Sequence, residues 1–79
     1  MESWDSKERK MNNYRDNIVK TMIKFYEGAI AAHKLNIDVL LGSHVGLAEH
    51  PDLVQTIDGE LEKLASLEDK LASIKRNFK

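Results

Sequence analysis

From Met11 onward the apolar residues of this chain recur at steps of three and four, and they fall into two adjacent rows. Met11, Tyr14, Ile18, Met22, Phe25 and Ala29 form one; Val19, Ile23, Tyr26, Ile30, His33, Ile37 and Leu41 form the other. Such steps keep residues on one face of an α-helix. Two rows side by side make that face wide, and a wide face can touch two neighbours where a two-helix hairpin supplies only one. The spacing predicts a helix from about residue 6 to residue 41. Asp5 and Glu8 have capping-box spacing at its start, and Gly42 follows the last periodic residue as a left-handed terminator does. Trp4, just outside, is expected either to pack on a neighbouring helix or chain or to belong to a frayed end. Gly28 marks a bend or a close helix crossing. Asn36–Leu41 alternates in a way that also suits a short strand, but Ile37, Leu40 and Leu41 keep helical spacing and favour helix.

The periodicity stops at residues 42–51, which hold Gly42, Gly46, the only proline and two of the three histidines. This is a hinge. Beyond it Leu53, Ile57, Leu61, Leu64, Leu67, Leu71, Ile74 and Phe78 make a continuous seam with a mean step of about 3.6. A second helix over about 51–77 is predicted. Pro51 suits its first position, where the missing N–H costs nothing. Asp52 sits by the positive end of its dipole, and Lys75, Arg76 and Lys79 by the negative end.

At 79 residues the chain is one small domain, residues 1–79. Chains this short bury only about 60% of their unfolded surface and need reinforcement. There is no cysteine, so disulfides and thiolate metal sites are excluded. Self-association is then the expected source of stability. The fold expected is all-α: a long helical hairpin, pairing two-fold into a homodimeric four-helix bundle. The row Val19, Ile23, Tyr26, Ile30, Ile37 and Leu41 is the expected oligomer interface.

The formal net charge is −1, with 12 Lys/Arg against 13 Asp/Glu. Neither half carries the basic excess of a dedicated phosphate binder. No apolar run reaches the ~20 residues of a membrane span, and the first residues lack the apolar core of a signal peptide. The expectation is a cytoplasmic protein without membrane association.

Candidate chemistry is sparse. His44, Glu49, His50 and Asp52 are metal-ligand types gathered at the hinge, but none of the usual zinc spacings is present, and His50 reads more simply as a loop or capping residue. Ser43 beside His44 is adjacency in sequence and not a triad. Gly42–Gly46 lacks the glycine–lysine spacing of a phosphate loop. Neither an enzyme nor a cofactor is expected. His50-Pro51-Asp52 is the tripeptide found between two helices of J-domains, yet the basic helix that precedes it there is missing: no Lys or Arg stands between Lys34 and Lys63.

The stretch Val45-Gly46-Leu47-Ala48-Glu49-His50-Pro51-Asp52, followed by Ile57-Asp58-Gly59-Glu60-Leu61-Glu62-Lys63-Leu64-Ala65 and Glu68-Asp69-Lys70-Leu71, resembles small uncharacterised proteins of marine T4-like bacteriophages, cyanophages among them. The resemblance spans about residues 30–79. It implies an infected host cytoplasm or a minor virion component, and carries no activity with it.

Two functions follow as expectations. The first is a non-enzymatic, self-associating helical interaction protein: an adaptor, a modulator of a host or viral protein, or a minor structural component. The second is an accessory nucleic-acid binder using the basic N-terminal half of the first helix, with Lys7, Arg9, Lys10 and Arg15 on phosphates and Trp4 and Tyr14 among them. Interleaved Asp5, Glu8, Asp16 and Glu27 blunt that potential.

Overall fold

A computed structural model describes the backbone of residues 2–42 and 52–78 and the side chains of residues 13–42 and 52–78. It consists of two α-helices, α1 (Glu2–Leu41) and α2 (Asp52–Phe78). They pack as an antiparallel hairpin: Arg15 of α1 meets Phe78 at the end of α2, and His33 meets Glu60 further along.

Helix α1 begins at Glu2, earlier than the capping-box spacing of Asp5 and Glu8 suggests. No glycine or proline stands before Gly28, and acidic residues at 2 and 5 suit the positive end of the dipole, so nothing local stops the helix sooner. It runs through Gly28 as a single element, and Asn36–Leu41 is helical and not a strand. Gly42 closes it, but not as a left-handed residue: no described glycine has positive φ. Its N–H donates to Asp38 O at 3.0 Å, one more i to i−4 bond of the helical kind. Helix α2 starts with Asp52 and ends with Lys75 and Arg76 in its last turn, both favourable to its dipole.

The protected residues of α1 are Val19, Ile23, Tyr26, Ile30, His33, Ile37 and Leu40, in steps of 4, 3, 4, 3, 4 and 3, with Met22 and Ala29 on their flank. Those of α2 include Leu53, Ile57, Glu60, Leu64, Leu67, Leu71 and Ile74, in the same steps. Both seams have the 3.5-residue repeat of a coiled coil, not the looser 3.6 mean read from sequence. The difference falls on one residue. Leu61 is not in the seam and is 48% exposed; Glu60 takes its place.

This core is thin. Among the described residues only Ile30 and Ile37 are buried, each 8% exposed, and no large side chain is fully enclosed. The radius of gyration is 19.7 Å, against about 12 Å for a compact chain of this length. The accessible surface is 6455 Å², against about 4,850 Å² for a folded monomer of this mass. A large share of what a globular domain hides remains open to water.

Candidate interaction surface

The row expected to face a second subunit lies on the side of α1 that packs against α2. Val19, Ile23 and Tyr26 are half-buried and Ile30 and Ile37 buried on the α2-facing side, while Leu41, the last member of the row, is exposed. The physical reason lies in the length of α2. Arg15 Nη2 donates to Phe78 O at 3.0 Å, so α2 ends level with Arg15. The inner repeat is apolar only where α2 can cover it. Before Val19 the same positions are Asp16, Asn12, Arg9, Asp5 and Glu2.

The exposed apolar row lies roughly 160° around α1, at ~100° per residue. Its members are Tyr14, Ile18, Thr21, Phe25, Gly28, Ala32, Leu35 and Val39, in steps of 4, 3, 4, 3, 4, 3 and 4. Tyr14, Ile18, Phe25, Leu35 and Val39 are all 62–66% exposed. A second heptad seam therefore runs down the back of the helix. Sequence reading found Tyr14, Ile18 and Phe25, but a row drawn at the wider mean step drifted onto the flanking Met22 and Ala29 and missed Leu35 and Val39. The strict alternation of four and three was the signal that could have found them. Helix α2 has no such back: its outward positions include Gln55, Asp58, Glu62, Ala65, Ser66, Asp69, Ala72 and Arg76.

At the open end of the hairpin the two seams meet. Tyr14, Arg15, Ile18, Val19, Ile74 and Phe78 line a groove of about 510 Å³. Tyr14 and Ile18 belong to the outer seam; Val19 and Ile74 end the inner one. Phe25 and Tyr26, with ring centroids 5.5 Å apart and planes at 63°, join the same two faces halfway along.

The inner seam carries one polar cluster. Glu60 Oε1 accepts from His33 Nδ1 at 2.7 Å and from Asn36 Nδ2 at 3.3 Å, and Lys63 Nζ lies 3.6 Å from Oε2. The carboxylate can only accept, so the proton sits on His33 Nδ1. The His33 hydrogen bond is the main cause that holds the Glu60 carboxyl below the ordinary glutamate range; desolvation opposes it, and Asn36 and the charges of His33 and Lys63 reinforce it. A slip of one heptad would put Tyr26 and Ala29, or Leu40 and Ser43, in the places of His33 and Asn36, and so break up the set of donors around this carboxylate. The cluster thus fixes the register of α1 on α2. Sequence reading placed His33 in the apolar row and Glu60 outside it, and neither residue alone signalled the other.

The remaining candidates separate. Arg15 is engaged with Phe78 O and lies 3.9 Å from Asp16 Oδ1. The side chains of Lys7, Arg9 and Lys10 lie outside the described residues, as do His44, Glu49 and His50; Asp52 is exposed in the first turn of α2. Among the described residues no group of three or more His, Asp and Glu could hold a metal ion. No described helix is long and apolar enough to cross a membrane. No family model matches the chain, and neither curated proteins nor solved structures give a match.

Proposed function

We propose that this protein is a non-enzymatic helical association module that acts as a homodimer, with the outer seam of α1 as its working surface. One observation carries the reading: a second coiled-coil repeat of five large apolar side chains, each more than 60% exposed, on the face that α2 leaves uncovered. Contiguous apolar stripes of this length are rare on monomers and mark association sites. The excess of accessible surface over a folded monomer points the same way. The pairing differs from a compact four-helix bundle, because the two seams of α1 lie on nearly opposite sides. Two hairpins joined through α1 make a layer with the α2 helices outside. In that role the protein is an adaptor, a modulator or a minor structural component.

Solution mass by light scattering over a concentration series tests the reading. Twice the 9.0 kDa chain mass is expected. A mass that stays at that of one chain at the highest concentration would overturn it.

A further inference from the structure

The outer seam has an internal order that says how a second copy sits on it. From Tyr14 to Ala32 it mixes large and small residues, and beyond them Leu35 and Val39 are both large. Tyr14, Ile18 and Phe25 are large; Thr21, Gly28 and Ala32 are small. A two-fold axis crossing the seam level with Ile23, perpendicular to the helix, would bring Tyr14 of one copy level with Ala32 of the other. Ile18 would meet Gly28, and Phe25 would meet Thr21. Between residues 14 and 32 each layer then sets one large side chain against one small one, and the axis repeats each layer once; further out, Leu35 and Val39 come level with Met11 and Lys7. This is the self-complementarity that a two-fold interface requires, with the alternation of bulk that lets layers interdigitate at native density.

A parallel arrangement fails the same test. It would set Gly28 on Gly28 and Ala32 on Ala32 in consecutive layers, with Phe25 on Phe25 just before them. Two layers of small residues leave a void beside a crowded one, and voids and overpacking both destabilise.

Gly28 supplies an independent argument. A glycine inside a helix costs about 1 kcal/mol relative to alanine. The hairpin does not need one there: a Cβ built on Gly28 would have nothing within 4 Å outside its own helix turn. Its absence makes sense if the surface that approaches Gly28 belongs to another molecule, and in the two-fold pairing that surface is Ile18 of the second copy.

Resting on the homodimer proposed above, we infer that two copies pair through α1 in antiparallel orientation, with the two-fold axis level with Ile23. The interface would place Lys24 of each copy beside the other across the axis, at the rim, as its one like-charged pair. Association should therefore strengthen with salt, which screens exposed charges.

The chain has no cysteine, so single cysteines report directly. Lys24→Cys and Ala32→Cys, both at exposed helical positions, are treated with a short-arm bis-maleimide at a concentration where wild type is dimeric. In the antiparallel pairing the two copies of residue 24 are neighbours, whereas the two copies of residue 32 lie about 27 Å apart along the axis at ~1.5 Å per residue. Lys24→Cys is expected to give a covalent dimer and Ala32→Cys to stay a single chain. Cross-linking of Ala32→Cys, with or without Lys24→Cys, would overturn the orientation and leave the dimer standing. Cross-linking of neither would overturn the inference. The wild-type mass then separates the causes: one chain means the association itself fails, and two chains mean that only the arrangement is wrong.

Discussion

Helix α1 has two apolar faces with the same heptad spacing and opposite circumstances. The inner one, from Val19 to Leu40, is covered by α2, is interrupted by a polar cluster, and becomes polar beyond the end of its cover. The outer one, from Tyr14 to Val39, is uncovered, holds no charged residue, and begins level with the end of α2 at Arg15. The inner face looks adjusted to a neighbour of known length. The outer row is no longer than α2, so either helix of a second copy is long enough to cover it, and the match of large with small residues between Tyr14 and Ala32 points to α1. The comparison teaches that the inner seam makes the hairpin and leaves the outer seam open, where the proposed pairing would use it.

Two truncations should separate these roles by the largest effects. Ile30→Ala opens a gap in the inner seam, where large-to-small changes cost about 2–5 kcal/mol. A core of this size rarely supplies more than ~3–5 kcal/mol in total. Loss of most far-UV helicity at 25 °C is therefore expected at low protein concentration. Phe25→Ala removes a larger side chain from the outer seam, yet in the isolated hairpin it should change stability by no more than about 0.5 kcal/mol, as exposed positions do. Its effect should be on association. Wild type should melt at a temperature that rises with concentration, because pairing stabilises the folded state by mass action; Phe25→Ala should melt at one temperature throughout. If dilute Phe25→Ala unfolds as Ile30→Ala does, the two faces are not distinct.

A smaller effect should come from acid. The Glu60 carboxyl is held low in the folded chain, chiefly by the His33 hydrogen bond. A carboxyl with a depressed folded pKa contributes stability that is present above its unfolded value, about 4.3, and is lost as pH falls through the lower folded value. Wild type should thus lose stability on acidification in that window. Glu60→Gln keeps the shape and cannot titrate, so it should be less stable than wild type at neutral pH and the difference should shrink as pH falls. Urea midpoints measured in parallel would check this. A difference that stays constant with pH would mean that Glu60 contributes through its shape alone.

The hairpin was legible because its signals are local. Period-three-and-four apolar rows, the breakers Gly42 and Pro51 and the charges at the ends of α2 each act within a few residues. The assignment of faces was not legible, because a helix with apolar residues on two sides does not announce which one its own chain will cover. That depends on where α2 ends, a fact of length and register, and the row from Val19 was read as the subunit interface for want of it. Glu60 escaped for a related reason. Polarity argues against a seam position, and only the arrival of His33 and Asn36 from α1 makes that position tolerable. The outer seam was half visible. Tyr14, Ile18 and Phe25 stand out, but Leu35 and Val39 did not join them, because Thr21, Gly28 and Ala32 between them carry no hydrophobic signal, although they belong to the repeat as much as Phe25 does.

Gly28 gives the smallest effect and the sharpest contrast. In the isolated hairpin Gly28→Ala adds a methyl group into open space and removes the backbone entropy that glycine loses on folding. It should stabilise the dilute, monomeric chain by up to about 1 kcal/mol. In the dimer the same methyl group would stand where Ile18 of the second copy approaches. The dissociation constant should rise by several-fold, since overpacking at a close contact costs about 1–3 kcal/mol. One substitution would thus act in opposite directions on folding and on pairing. Chemical denaturation at low concentration reads the first, and light scattering against concentration reads the second. A gain in both would mean that nothing approaches Gly28 closely, so the small member of that layer would have no large counterpart and the seam would need a different register.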